Sequence, residues 1–135
     1  MAADATHERN WPLFWAAAVG DVDAVRKMIS SAGIDVNFAV KSGATPLYIA
    51  AEAGQVGVVR VLLADARADT NAATKILKRR PLMAAAVCGH VDVVRALLAS
   101  GRVNQSEVDG WGDSALDLAR WRRSEGACEL LQATP

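Results

Sequence analysis

The chain has 135 residues, enough for one domain with a modest core, and its 15 basic and 15 acidic residues leave no net charge. A neutral chain produces no overall field that attracts nucleic acid or an anionic membrane surface. No apolar run is long enough to span a membrane, and Met1 to Asn10 lacks the apolar core of a signal peptide. The cysteines, Cys88 and Cys128, are too few for a disulfide framework, so we expect a reducing compartment, the cytoplasm or alternatively the nucleus.

Residues Met1 to Arg9 are mostly polar, and we expect them to form a partly frayed tail. A first helix is predicted to start near residues 10–13, where Trp11 occupies the position of a helix-capping side chain. Phe14 and Trp15 fall in or beside the core face of this helix. Because no earlier helix packs there, we expect their rings to seal the N-terminal end of the fold.

Helix boundaries are clearest in the second unit of the chain. Thr45 is predicted to cap a first helix because its hydroxyl can accept from free N–H groups. Pro46 suits the first helical position, and Gly54 suits the helix end, where a positive φ costs glycine nothing. A second helix then carries apolar residues at helical spacing: Val58, Val59, Leu62 and Leu63. Asp21 is predicted to cap the corresponding helix of the preceding unit, over Val22 to Ile29.

The same unit recurs along the chain. Leucines at the start of each first helix are spaced by 34, 35 and 34 residues: Leu13, Leu47, Leu82 and Leu116. The pattern is strongest in Gly43-x-Thr45-Pro46-Leu47-x-x-Ala50-Ala51-x-x-Gly54 and in Pro81-Leu82-x-x-Ala85-Ala86-x-x-Gly89-His90. A period of about 33 residues with a Thr-Pro-Leu helix start resembles the ankyrin repeat, and the resemblance covers residues 10–132.

The resemblance implies an all-α solenoid of stacked helix-turn-helix units from which finger-like hairpin loops project. After the tail of residues 1–9, residues 10–135 are expected to form one domain. It would comprise four repeats, of which the first and last are divergent and act as end caps, at about residues 10–37, 38–71, 72–104 and 105–132.

The connections between repeats contain turn-forming residues. Asp35-Val36-Asn37 and Asp69-Thr70-Asn71 correspond in the two links, and Asp and Asn turn a chain by bonding nearby backbone groups. The next finger is irregular: Lys78 stands where the turn glycine is expected, and Arg80 replaces the capping threonine. Residues 74–80 carry four positive charges, which fit either a solvated basic loop or a finger adapted to a partner.

The last repeat also departs from the pattern. Asp113 or Ser114 is predicted to cap its first helix, over Ala115 to Arg122. Arg123 replaces the glycine of the following link, and a short second helix is expected over about Ser124 to Gln132.

No catalytic motif is present. The chain lacks a glycine-rich phosphate loop, a Cys-x-x-Cys pair, a His-Glu-x-x-His sequence and a Gly-x-Ser-x-Gly turn. His7 and His90 are too far apart in sequence to suggest a metal site, and the resemblance gives His90 a structural role in the link between helices. Cys88 is interpreted as a small packing residue. We therefore expect no enzyme, no metal and no cofactor.

The resemblance implies a protein-interaction surface formed by the fingers and by the groove that the first helices line. In register with the family, it comprises Lys41, Ser42, Ala44, Glu52, Ala53, Ile76, Leu77, Arg79, Val87, Cys88, Gly110, Trp111, Asp113, Trp121 and Arg122. Aromatic and arginine side chains inside a polar rim are typical of interface hot spots. Trp111 is predicted to contact the partner, whereas Trp121 is predicted either to do so or to pack as an end cap.

The predicted function is thus a monomeric, non-catalytic module that binds a protein or peptide, one with some acidic residues. A narrower alternative is a small inhibitor of a globular enzyme, which rests on architectural analogy. A second alternative is a substrate of asparaginyl hydroxylation at Asn71, since the spacing Leu63-x-x-x-x-x-Asp69-Thr70-Asn71 resembles such sites. Contact with nucleic acid through Lys75, Lys78, Arg79 and Arg80 is disfavoured by the neutral composition.

Overall fold

The computed structural model describes residues 5–133, with side chains from Glu8 onward. This part of the chain contains eight helices: α1 (Ala5–Val19), α2 (Val22–Ile29), α3 (Pro46–Ala53), α4 (Val56–Leu63), α5 (Pro81–Cys88), α6 (Val91–Ala99), α7 (Ala115–Arg122) and α8 (Glu125–Ala133). They form four helix pairs. The first helices stack as one row, α1, α3, α5 and α7, and the second helices stack as another. The predicted all-α fold of stacked helix-turn-helix units is therefore confirmed.

Most helix ends lie where local chemistry predicts them. The Thr45 hydroxyl accepts the Tyr48 N–H at 3.1 Å, and Asp21 accepts the Ala24 N–H at 3.1 Å. Gly54 ends α3 with a φ of 77°. For α7 the cap is Ser114, whose side chain and that of Asp117 bond each other's backbone N–H groups.

Small side chains fill the space between the stacked first helices. The residues at their centre are all fully buried: Ala17, Ala50, Ala51, Ala85, Ala86 and Ala119. Leucine and valine from the second helices close the other side of the core: Val25, Val58, Val59, Leu62, Val93, Val94 and Leu97. A smaller apolar cluster lies under the first finger, where Phe14, Phe38 and Tyr48 meet. Burial is continuous from the first repeat to the last.

Asparagines join successive repeats in addition to turning the chain. The Asn37 Oδ1 accepts the Asp69 N–H at 2.7 Å, while its Nδ2 donates to the Arg67 carbonyl at 2.8 Å. Asn71 repeats this arrangement one unit further on, with the Asn104 N–H at 3.0 Å and the Arg102 carbonyl at 3.1 Å. These are bonds between links, which the local turn prediction did not include.

The first helix begins earlier than predicted. Residues 5–9, which we expected to belong to a polar tail, form its first turns, and residues 1–4 lie outside the described part of the chain. A long-range bond holds this region: the Asn10 Oδ1 accepts the Asp35 N–H at 2.7 Å. Phe14 is buried as expected, but Trp15 is 60% exposed, so its ring does not pack into the core.

No helix within residues 5–133 combines the length and the apolarity needed to cross a membrane.

Between residues 5 and 133, two residues other than glycine adopt a left-handed backbone conformation. Lys78 has a φ of 52° in the irregular finger, and Arg123 has a φ of 63° at the end of α7. Both replace a glycine of the repeat pattern, and the fold keeps the glycine conformation at each position. Side chains with a Cβ adopt this conformation at a cost of about 1–3 kcal/mol.

We expect Arg123→Gly to raise the free energy of unfolding by about 1 kcal/mol, since glycine relieves this strain but loses some entropy on folding. Arg123→Ala is the matched control because it removes the same side chain and retains the Cβ. Urea denaturation of both variants measures the effect. An equal change in the two variants would contradict a backbone origin.

Candidate binding surface

Three connections project from the helix stack as fingers, at residues 38–45, 72–80 and 105–114. Each is joined to the next by a backbone hydrogen bond. The Lys75 N–H donates to the Ser42 carbonyl at 2.9 Å, and the Gly110 N–H donates to the Leu77 carbonyl at 2.7 Å. The fingers therefore form one continuous edge with a fixed spacing.

This edge and the adjacent groove expose large apolar side chains. Ile76 is 88% exposed, Leu77 is 38% exposed, and Trp111 and Trp121 are each 75% exposed. The exposure of Trp121 disfavours the alternative in which its ring packs as an end cap. Grouped apolar side chains on a polar surface mark interaction sites more often than isolated ones do.

A buried carboxylate shapes the fingertip that carries Trp111. The Asp109 Oδ1 accepts the N–H groups of Trp111 at 2.9 Å and Asp113 at 3.0 Å. Its Oδ2 accepts from Arg79 Nε at 3.2 Å, and the carboxylate is fully buried. Burial disfavours the charge of Asp109, but these N–H donors and Arg79 outweigh it and hold the pKa of the carboxyl below its ordinary value. Sequence reasoning identified Asp109 only as part of a turn.

The predicted site residues gather around two depressions. The first, of about 400 Å³, lies between the first two fingers and is lined by Ser42, Tyr48, Glu52, Thr74, Ile76 and Leu77. The second, of about 580 Å³, lies towards the last repeat and is lined by Arg79, Val87, Asp113, Asp117, Leu118, Arg120 and Trp121. Lys41, Trp111 and Arg122 line neither and stand exposed around them. Of the remaining positions, Ala44 is buried in the apolar cluster under the first finger.

The groove between the fingers and the helices holds groups that stay protonated. Burial, followed by the charge of Glu52, raises the pKa of Tyr48 to about 12. The same two causes raise the pKa of the Cys88 thiol. A thiol acts as a nucleophile in its ionised form, so this environment does not activate Cys88. Tyr48 was missed from sequence because its position reads as a core position of α3.

Part of the basic finger is paired within the fold. Arg79 bonds Asp109, and Arg80 lies 3.5 Å from a carboxylate oxygen of Glu107. Lys75 and Lys78 are exposed at the fingertip. The predicted cluster of four cations is therefore two fingertip lysines and two arginines that tie the second projecting finger to the third.

His90 bonds across the repeat boundary. Its Nε2 lies 2.9 Å from the Glu52 carbonyl at the end of α3. Gln55 makes the equivalent contact one repeat earlier, donating to the Ala18 carbonyl at 3.1 Å. Within residues 8–133, no group of three or more histidine, cysteine or acidic side chains is arranged to hold a metal ion.

We expect Asp109→Asn to lower the free energy of unfolding by about 1–3 kcal/mol at neutral pH, because Arg79 loses its charged acceptor. Since the pKa of Asp109 is depressed in the folded state, its contribution exists above the ordinary aspartate pKa of about 4 and is lost as the pH falls through the folded value. The difference between the parent and the variant should therefore shrink in acid.

Denaturant titrations between neutral and acidic pH measure this difference. Asp113→Asn removes a neighbouring carboxylate that faces the surface and serves as the control for charge alone. Equal losses in Asp109→Asn and Asp113→Asn would show that the buried carboxylate has no special role.

Comparison with known families agrees with this geometry. A family model described as ankyrin repeats, in three copies, matches residues 2–74, and a single ankyrin repeat model matches residues 78–109. No curated protein matches the chain. The helix pair α7 and α8 lies beyond both matched ranges but repeats the same architecture. Because the first model alone covers more than half of the sequence, the chain belongs to the ankyrin repeat family.

Proposed function

We propose that the chain is a non-catalytic module that binds one protein partner through the fingers and groove of its second to fourth repeats. Ankyrin repeats are generally protein-interaction modules. The observation that carries the proposal is the exposure of Ile76 and Trp111 on a finger edge of fixed spacing, together with that of Trp121 in the adjacent groove. Burying such side chains on binding provides the main favourable free energy of an interface.

Contacts within the chain itself hold the finger edge in a defined conformation. Backbone bonds link the fingers, and Asp109 fixes the turn that presents Trp111. A surface that is already ordered loses less conformational entropy on binding. The two depressions beside Leu77 and Trp121 provide places for apolar side chains of the partner.

The charges on this surface favour an acidic partner segment. Lys41, Lys75 and Lys78 are exposed along the fingers, and Arg122 is exposed at the end of the groove. The exposed carboxylate of Glu52 lines the first depression beside Tyr48. A segment that places apolar side chains in the depressions and carboxylates towards the lysines would complement both features.

Affinity capture from an extract of the native cell tests the proposal. Trp111→Ala/Leu77→Ala should lose a protein that the parent retains, because both apolar anchors are removed. Trp15→Ala is the matched control, since it deletes an exposed tryptophan on α1, away from the fingers. Circular dichroism verifies that each variant is folded. A protein retained equally by all three forms would place the binding site elsewhere.

The alternative of a small inhibitor uses the same surface. In that case the captured protein is a globular enzyme, and the parent but not the Trp111→Ala/Leu77→Ala variant lowers its activity.

Hydroxylation at Asn71 makes a separate prediction. The Asn71 amide bonds both the Asn104 N–H and the Arg102 carbonyl, so an enzyme that modifies this side chain must first open the link. If this alternative holds, intact-mass measurement of protein from its native cell shows one added oxygen, and peptide mapping assigns it to Asn71. An unmodified mass, or an oxygen assigned to a methionine, would contradict this alternative.

A further inference from the structure

The second helices, α2, α4, α6 and α8, form the outer row of the stack. Three of them carry an arginine at the equivalent position of the repeat. Arg26 on α2, Arg60 on α4 and Arg95 on α6 are separated by 34 and 35 residues, so they occupy equivalent positions in three successive repeats. All three are exposed. This row is formed by the second helices, whereas the fingers and groove belong to the first helices and the connections before them.

Neighbouring arginines on this side are bonded within the fold. Arg102 donates to the carbonyl of Leu63, the last residue of α4, at 2.7 Å and to the carbonyl of Ala68 in the following link at 2.6 Å. Arg67 bonds the Asp65 carboxylate at 2.6 Å and the Ile29 carbonyl at 2.8 Å. Arg95 bonds Asp92 at 3.0 Å.

Arg26 and Arg60 differ from these arginines. Neither guanidinium makes a hydrogen bond or an ion pair with any residue in the described part of the chain. Two cations in equivalent positions on adjacent helices are thus available to a ligand.

An apolar groove separates these two arginines. A depression of about 580 Å³ runs between α2 and α4, and Arg26 and Arg60 line it together with Val22, Ile29, Gly57, Val61, Ala64 and Asp65. Gly57 keeps the helices close, since a Cβ there would lie 3.0 Å from a Val22 methyl carbon. The groove floor is therefore apolar and its two sides are positively charged.

The one carboxylate lining this groove is already neutralised by a partner. The Asp65 carboxylate accepts from Arg67 at 2.6 and 3.0 Å. This side-chain bond, with the Arg67 backbone N–H, holds the pKa of Asp65 below its ordinary value. Asp65 therefore does not compete for Arg26 or Arg60.

We propose that this outer groove binds an acidic amphipathic helix of a protein partner. The apolar side chains of this partner helix would pack against Val22, Ile29 and Val61. Carboxylates on the two flanks of the partner helix would bond Arg26 and Arg60. Arginine suits this role because its planar guanidinium can donate two parallel bonds to one carboxylate. A helix fits a groove between parallel helices because its own apolar residues recur along one face.

The test uses a synthetic, helix-forming peptide with leucine along one face and glutamate on both flanks. Titrating it into ¹⁵N-labelled protein and following the amide signals by NMR gives both the affinity and the location. We expect saturable shifts on α2 and α4. Arg26→Glu/Arg60→Glu should weaken binding about tenfold or more, because two favourable charge pairs become repulsive.

Two further variants separate a specific site from a general charge effect. Arg9→Glu/Arg123→Glu makes the same change in net charge at exposed positions outside both this groove and the finger surface, and should leave the affinity unchanged. Arg26→Gln/Arg60→Gln removes the charges without reversing them and should give an intermediate loss, even if the reversed variant is destabilised.

Several outcomes would overturn the proposal: an absence of saturable binding, shifts confined to the fingers, or equal losses in the two charge-reversed variants. The same shifts on adding inorganic phosphate alone would also overturn it, since they would define a small-anion site. A lysine-flanked peptide should not bind. Because neither groove arginine lies on the finger surface, the result is independent of the capture experiment.

Discussion

Close stacking of the first helices is the constraint on which the rest of the structure depends. It requires small residues at the contact, and Ala50, Ala51, Ala85 and Ala86 are fully buried there. Each repeat contacts only its neighbours, so the stability of the array is approximately a sum of adjacent interfaces. The same stacking brings the connections into line, which allows one backbone hydrogen bond to join each finger to the next. The continuous edge that the fingers form is therefore a consequence of the core packing.

The polar residues of the links reinforce this regularity. Asn37 and Asn71 each bond the backbone of the following link. Gln55 and His90 each contact a carbonyl at the end of the first helix of the previous repeat. These side chains satisfy backbone groups that the short helices leave unpaired. They bond across the repeat boundary, so they resist both sliding and separation of neighbouring repeats. A mutation in a link is expected to affect the spacing of the fingers as well as the stability.

Structural features that depend on residues close together in the sequence were predicted, whereas contacts between residues far apart in the sequence were not. Thr45, Gly54 and Ser114 act within one helical turn, and the boundaries that they set were predicted closely. The bond from the Asp35 N–H to Asn10 at the N-terminal end was missed because the two residues lie 25 positions apart. The Asp109–Arg79 contact was missed for the same reason, since the residues lie 30 positions apart and each has a plausible local role. The exposure of Trp121 depends on the packing of the last repeat, which its irregular sequence left open.

Although the net charge of the chain is zero, acidic and basic side chains occupy different kinds of position in the fold. Many aspartates accept backbone N–H groups at helix starts and turns, as Asp21, Asp35 and Asp69 do, and these positions are set by the repeat. A short carboxylate suits such a role because it reaches the backbone, whereas a long basic side chain extends away from it. Lysines and arginines are consequently free to collect on the fingers and along the outer groove. Equal numbers of acidic and basic residues are therefore compatible with two locally basic surfaces on a chain whose net charge is zero.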